Sequence, residues 1–476
     1  MTTFSNHQVQ RGIGALVGSA VGDALGAPFE FGNAGEYSAR FPAPVLGGTG
    51  EMVGGGSFGW KPGEFTDDTQ MALALALSLL ACKGFDPADL FERWRIWSTS
   101  CNDVGILTRQ ALRQGAYLGA ALAAHESNGG KSASNGAVMR NTPVALFTAG
   151  QPLDDVWQLA SDQAGLTHFD PDCAVAAGIQ ALMLRAGIDG QDMFEALDAA
   201  LDRITDPQAR ARWAQLLGPG WTPDQAEHHN GTVWTCLAQA VWALRTSGSF
   251  AETVVAAIDL GDDTDTVACV AGGLAGARWG VQGIPSRWTT YVNGSLMTPT
   301  GKVDLNYAGL QDLAMQLMGG EARVLTPAEG QSAGPVRVHQ ELPVHAAEWK
   351  GASAATDGAA IVSACRTDGD FDHRPVRREV FLIDHYSEDD NHDALAALLD
   401  AVDTIDALLA EDPDRDVVVH CHGGRSRTAF ILKGWAMRRH GWSEDQAHEW
   451  LVASWPRAHR DNPVFLRILT EDWPTA

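Results

Sequence analysis

Thr66-Asp67-Asp68-Thr69 stands immediately before the apolar run Met71 to Leu80, and its reading decides the first fold. The run has helical character, which puts the tetrapeptide at a helix mouth. Asp and Thr cap helices and favour the positive end of the dipole, so a cap alone would account for one isolated copy. Two adjacent carboxylates repel, however, and partial burial disfavours their charged forms. A hard cation removes that cost, because Mg²⁺, Mn²⁺ and Ca²⁺ take carboxylate, carbonyl and hydroxyl oxygens. The same chemistry recurs far along the chain. Gly261-Asp262-Asp263-Thr264-Asp265-Thr266 precedes a second small, apolar run, Val267 to Gly276. Two acidic helix mouths that converge would hold one or two metal ions between them.

Around these mouths the first part of the chain reads as mainly α-helical. Gly14, Gly18, Gly22 and Gly26 are spaced four apart within Gly12 to Ala27, which puts them on one helix face for close helix contact. Asp23 lies in this run, either as a packing neighbour or as a site residue, and Glu30 follows Pro28. Residues 32 to 64, rich in Gly and Pro, predict a long loop. Leu90, Phe91, Trp94 and Trp97 have the spacing of helical core anchors. Asn102-Asp103-Val104-Gly105 opens a further helix, and Pro143 to Phe147, Ala174 to Ala186, Met193 to Leu201, Trp234 to Leu244 and Ala251 to Ile258 predict others. Little alternation appears before about residue 290.

The pattern changes near residue 320. Domains are expected at 1–320 and 346–476, with a linker at 321–345. Beyond the linker Ala360-Ile361-Val362-Ser363, Glu379 to Ile383 and Val417-Val418-Val419 predict buried strands, and Leu395 to Leu409 and Thr428 to Arg439 predict helices. Strands alternating with helices indicate an α/β domain with a largely parallel sheet.

A chain of 476 residues exceeds one ordinary core. Its 45% apolar and 20% charged content is that of a globular protein. A formal net charge of −25 argues against nucleic-acid and anionic-membrane partners. No apolar run approaches the roughly 18 to 20 residues that a membrane span needs. The polar start, Met1 to Val9, lacks the pattern of a signal peptide. Seven scattered cysteines without a CxxC pair suit reduced thiols in the cytoplasm.

Four stretches taken in order resemble the ADP-ribosylglycohydrolases: Gly22-Asp23-Ala24-Leu25-Gly26-Ala27-Pro28-Phe29-Glu30, Thr66 to Thr69, Ser134-Asn135-Gly136-Ala137-Val138-Met139-Arg140, and Gly261 to Thr266. The resemblance covers roughly residues 10 to 300. It implies an all-α fold with two Mg²⁺ or Mn²⁺ ions, held by Thr66, Asp67, Asp68, Asp263, Asp265 and Thr266, that cleaves an ADP-ribosyl bond. Glu30 and Asp103 become the candidate base or ribose-orienting carboxylates. Asn135, Gly136, Met139, Arg140 and His168 are expected to line the ADP-ribose cleft, with a structural cap as the other reading of His168. Substrates would be ADP-ribosylated proteins or small ADP-ribosyl metabolites. A reader that binds without turnover is the rival class. Asp262 departs from the family pattern, which usually has a second glycine there.

His420-Cys421-His422-Gly423-Gly424-Arg425-Ser426-Arg427-Thr428 follows a three-valine strand and opens a helix. It resembles the Cys-x5-Arg signature of the protein tyrosine and dual-specificity phosphatases. Loop N–H groups, including that at Gly424, would form an anion nest and favour Cys421 as the attacking thiolate. Arg427 would grip the phosphoryl group of a phosphorylated substrate in a bidentate fork, and Thr428 would hydrogen-bond the departing thiolate. Asp384 is the candidate general acid, with Asp389 and Asp390 as alternatives.

Overall fold

The computed structural model describes residues 4–101, 103–322, 325–327, 332, 334–387 and 390–474. They form two compact units. The first comprises Met1–Ala43, Met52–Val281 and Val292–Ala322. The second comprises Pro44–Glu51, Gln282–Tyr291 and Arg323–Ala476, and so takes in two segments that lie within the first domain of the sequence reading.

The first unit is a helical assembly with one antiparallel hairpin, Asn293–Thr298 with Gly301–Asn306. Its axis is the helix Asn6–Gly26, started by a reciprocal Ser5–Gln8 capping box. That helix packs along Thr264–Trp279 through its glycines. A Cβ at Gly22 would lie 2.0 Å from the Ala268 carbonyl oxygen, and one at Gly26 would lie 2.5 Å from Asp265 Cα. Backbone meets backbone along this seam, and larger residues would force the helices apart. Helices Pro171–Ile188, Val233–Thr246 and Phe250–Ile258 pack around Thr264–Trp279. The segment Asn6–Phe29 is long and apolar enough to cross a membrane by length and composition, contrary to the expectation from sequence, and 94% of its most apolar window is buried inside the protein. Small residues keep its side chains modest while its mean hydropathy stays high.

Helix Asp67–Cys82 follows Thr66, whose hydroxyl accepts from the Asp68 N–H. Leu90, Phe91, Trp94 and Trp97 of Pro87–Trp97 are all buried, and the Trp94 and Trp97 indoles donate to the Met71 carbonyl and Gln70 Oε1. The helix expected to open at Asn102 starts later, at Ile106, which leaves Asp103 in the preceding loop.

The second unit holds a five-stranded sheet in the order Val336–Arg337, Val344–Glu348, Val417–Cys421, Ala360–Ser363, Arg377–Glu379. All pairings are parallel except that of the two-residue edge strand. The two strands on the Val336 side begin inside the expected linker. The strand expected at Glu379 to Ile383 is displaced to Arg377–Glu379. Its partner Ala360–Ser363 ends at Ser363, which accepts from the Val380 N–H, so residues 381–383 run beyond the sheet. Helices Ala394–Glu411, Ser426–His440, Glu444–Ser454 and Pro463–Thr470 complete the unit, with Phe430 stacked on Phe465 at 4.2 Å.

Candidate functional site

The two acidic mouths meet. Thr264 Oγ1 donates to the Gly26 carbonyl at 2.9 Å, which fixes the second mouth to the end of the first helix. Asp23 fixes the other: its carboxylate accepts from the N–H groups of Thr66 and Thr69 and from Thr69 Oγ1 at 2.5 Å. Asp23 is therefore a cap seated in the neighbouring helix. It lies behind the site, and burial pushes its carboxyl up to about 6 against those hydrogen bonds. Thr266 Oγ1 on the second helix donates to Asp68 Oδ2 on the first, at 3.3 Å.

Between the mouths lies a cavity of about 470 Å³ that six carboxylates line: Glu30, Asp67, Asp68, Asp103, Asp263 and Asp265. No lysine, arginine or histidine is among its lining residues. Oxygens of Glu30, Asp263 and Asp265 lie within 4.8 Å of one another. At an effective dielectric of about 20, two like charges roughly 5 Å apart repel by about 3 kcal/mol. The groups respond as that predicts. Burial first, then Asp103, Asp263 and Asp23, push Glu30 up to about 8. Burial and Asp263 push Asp103 up to about 6, against a hydrogen bond from Asp67. Asp67, Asp68 and Asp265 are driven well above the ordinary carboxylate range, burial leading in each case.

Divalent cations fit this donor set. Asp68 Oδ1 and Glu30 Oε2 are buried with no hydrogen-bond partner among the described residues, and the donors are hard oxygens. Glu30, which the sequence reading kept apart from the ligands, lies beside Asp263 and Asp265.

Asn135 Nδ2 donates to Asp263 Oδ2 at 2.8 Å, and Gly136 and Met139 also line the cavity. Arg140 and His168, expected in the cleft, lie behind its wall. Arg140 is wholly buried, bonds Gln163 and Thr167, and sits 4.0 Å over the Trp94 ring. His168 packs behind Gly136, held between Thr167 Oγ1 and Ser134 Oγ, and burial lowers it to about 3. Sequence reasoning missed Asn230, whose amide accepts from the Asp263 N–H and donates to the Gly261 carbonyl. Its position in the polar stretch His228 to Gly231, before a helix, was the available signal. Also missed were Phe31 and Ile106, apolar residues 63% and 73% exposed that line the cavity. Asp262 has a φ of +62° and an exposed side chain. Its backbone bonds Phe31 and Gly32 in both directions, tying the second mouth to the loop that carries Glu30. A glycine position filled by Asp is thus a matter of backbone conformation.

In the second unit Cys421 ends the buried strand Val417–Cys421 beside Glu348, its register partner, and Ser426–His440 starts five residues on. Gly424 has a φ of +63°, a Cβ there would lie 2.8 Å from the Ala347 carbonyl oxygen, and its own carbonyl accepts from Trp455 Nε1. Arg427 Nη1 donates to the Leu382 carbonyl, while Arg427 Nε and Thr428 Oγ1 are buried without a hydrogen-bond partner among the described residues. Asp384 lines a cavity of about 300 Å³ together with Arg425 and Ser426 of the loop. Cys421, Gly424, Arg427 and Thr428 are not among that cavity's lining residues. Asp390 is buried and paired with His385, and Asp389 lies outside the described residues.

Known proteins share the first unit's pattern. The chain is 35% identical over 290 residues to the ADP-ribosyl-dinitrogen reductase glycohydrolase of Rhodospirillum rubrum, covering 60% of this chain and 91% of that one. It is 32% identical over 302 residues to the ADP-ribosylarginine hydrolase Tri1 of Pseudomonas putida (strain GB-1), 61% of this chain and 76% of the other. A solved ADP-ribosylglycohydrolase-related protein complex aligns at 31% identity and a TM-score of 0.51, over 66% of this chain and 98% of its own. Residues 5–327 match the family model described as ADP-ribosylglycohydrolase, and by that match the chain belongs to the ADP-ribosylglycohydrolase family of hydrolases.

Proposed function

We propose that the first unit removes ADP-ribose from modified proteins in the cytoplasm, using two Mg²⁺ or Mn²⁺ ions held by Thr66, Asp67, Asp68, Asp263, Asp265 and Thr266. The observation that carries this reading is a cavity walled by six carboxylates and no cationic side chain. When bound, the metals supply an activated water and a charge clamp for the ribose hydroxyls. Glu30 and Asp103 carry the proton work: both are carboxylates that line the cavity outside the proposed ligand set, within reach of a substrate held there. Asn135 orients Asp263, and Gly136 lets the chain pass close against His168. Relatives named for dinitrogen reductase and for ADP-ribosylarginine make arginine the first linkage to assay. The test is release of ADP-ribose from ADP-ribosyl-arginine protein, ADP-ribosyl-serine peptide and O-acetyl-ADP-ribose, with EDTA, Mg²⁺ and Mn²⁺ in turn. Turnover of O-acetyl-ADP-ribose alone would make it a hydrolase of small metabolites. Full turnover in EDTA would remove the metals from the reading.

The second unit is read as a cysteine-dependent phosphatase. Its support is the cysteine at the end of a buried parallel strand, with the unpartnered Arg427 Nε and Thr428 Oγ1 just beyond it. Cys421 thiolate attacks phosphorus and the P–O ester bond breaks as Asp384 protonates the leaving oxygen. Water then attacks the phosphorus of the cysteinyl phosphate as Asp384 takes its proton, the S–P bond breaks with its electron pair returning to the Cys421 thiolate, and inorganic phosphate leaves. Cys421-dependent hydrolysis of an aryl phosphate is the direct assay.

A further inference from the structure

The loop between strand Arg377–Glu379 and helix Ala394–Glu411 carries Asp384, and two amide side chains hold it where the sheet has ended. Asn391 Oδ1 accepts from the Ile383 N–H at 3.0 Å, and Asn391 Nδ2 donates to the Ile383 carbonyl at 2.8 Å. Both backbone polar groups of the residue immediately before Asp384 are thereby fixed by one side chain. Asn391 is itself held by Gln282, whose Nε2 donates to Asn391 Oδ1 at 2.9 Å and to the Phe381 carbonyl at 3.2 Å. Gln282 Oε1 accepts from the Asp393 N–H at 2.7 Å, at the start of the following helix. Gln282 and Asn391 are 5% and 6% exposed. On the other side Asn462 Nδ2 donates to the His385 carbonyl at 2.9 Å and reaches Asp384 Oδ1 at 3.4 Å.

We propose that Gln282, acting through Asn391, is a positioning residue that sets Asp384 as the general acid of the Cys421 reaction. The proposal rests on the phosphatase reading of this unit. Gln282 uses both of its N–H bonds and its oxygen, so the site calls for a glutamine amide. A glutamate there would set an oxygen against the Phe381 carbonyl and Asn391 Oδ1, acceptor against acceptor. Among the described residues 381–387 and 390–393 no strand pairing is present, and Arg427 Nη1 holds only the Leu382 carbonyl, so losing this clamp frees the Ile383 backbone and lets Asp384 shift. A displacement of about 1 Å at a reacting group costs on the order of 10²-fold.

The test uses the full chain and two substrates, an alkyl phosphate whose leaving group needs a proton and 4-nitrophenyl phosphate, whose leaving group needs little help. Gln282→Ala is expected to lower kcat on the alkyl phosphate by roughly 10- to 100-fold, and on the nitrophenyl ester by about threefold or less, with KM held. In an Asp384→Asn background the same substitution should cost little more, because the group it positions is already gone. Gln282→Glu, which keeps the volume, should show the same substrate split and stands in if the alanine variant does not fold. Equal losses on both substrates, or an undiminished loss in the Asp384→Asn background, would assign Gln282 a structural role and overturn the proposal. Wild-type protein whose turnover of both esters is untouched by Cys421→Ser would overturn the phosphatase reading and this proposal together. Cys421-dependent turnover with an unchanged substrate ratio in Gln282→Ala would overturn this proposal alone.

Discussion

Six carboxylates face the cavity of the first unit with no cation among its lining residues. Beyond Val417–Cys421, Arg425 caps the helix Ser426–His440 and Arg427 lies in its first turn. One site is built around surplus negative charge, the other around surplus donors. Each leaves buried polar atoms without a hydrogen-bond partner among the described residues: Asp68 Oδ1 and Glu30 Oε2 in the first, Arg427 Nε and Thr428 Oγ1 in the second. An unpaired buried polar atom costs about 1–3 kcal/mol, more when charged. At these two sites the unpartnered atoms are acceptors in one and donors in the other, so each is suited to a ligand of the complementary kind. The contrast predicts a cation for one site and an anion for the other.

The largest effect is expected at Cys421. Cys421→Ser should lower aryl phosphate turnover by a factor on the order of 10³ or more while phosphate analogues still bind, because the loop amides and Arg427 remain. ADP-ribosyl hydrolysis should be unchanged. Arg427→Ala should weaken binding and turnover together. Steady-state rates and vanadate inhibition separate the two patterns, and full activity in Cys421→Ser would end the anion half of the contrast.

Next comes Asp67→Ala combined with Asp265→Ala, which should abolish Mg²⁺ and Mn²⁺ binding in calorimetric titration and ADP-ribose release with it. The pH dependence has a definite sign. The folded carboxyls of Asp67, Asp68, Asp265 and Glu30 are raised, so the metal-free protein binds more protons than the unfolded chain. Their contribution is present below the ordinary carboxylate value of roughly 4 and is lost as pH rises toward the value of about 8 reached by Glu30. Metal displaces those protons, so the gain in Tm from Mg²⁺ should be larger at pH 8 than at pH 5.5, and absent in the double variant. Buried His168 and His420 act in the opposite sense. Each is lowered to about 3, so its contribution is whole above roughly 6.5 and is lost as pH falls toward 3.

Glu30→Gln tests how far acid–base work and ligation are separate. It should lower turnover on the order of 10² while changing metal affinity less. A parallel loss of affinity would place Glu30 among the ligands, as its closeness to Asp263 and Asp265 allows.

The acidic mouths were legible because adjacent carboxylates before an apolar run demand an explanation, and a second copy demands a shared one. The glycine spacing was legible because a four-residue period has one geometric consequence. Arg140 and His168 were misplaced for a physical reason: sequence shows a polar residue near a motif but not which way it faces. A cation–π seat on Trp94 and bonds to Gln163 and Thr167 satisfy Arg140 inside the framework. The strand at Arg377–Glu379 was read late because apolar content marked 380–383, whereas pairing ends where its partner ends. Gln282 was invisible because its partners lie 99 to 111 residues away.

The smallest effect should come from Asp262→Gly. Its backbone holds a φ of +62° and exchanges hydrogen bonds with Phe31 and Gly32, while its side chain is exposed. Glycine takes that φ freely and keeps both bonds, which removes a left-handed penalty of about 1 kcal/mol that Asp bears more lightly than most residues. Against that, glycine loosens the unfolded chain by about 0.4–1 kcal/mol. The two nearly cancel, and stability should move by less than about 1 kcal/mol. Asp262→Ala separates charge from conformation: it also removes the carboxylate but keeps the strain, so it should be the less stable of the two. Solvent screens an exposed charge, so Mg²⁺ affinity should stay within about twofold in both variants. If affinity falls equally and by more than about fivefold in Gly and Ala alike, the carboxylate itself attracts metal. The extra Asp would then belong to the acidic cavity's charge and not to the turn beneath it.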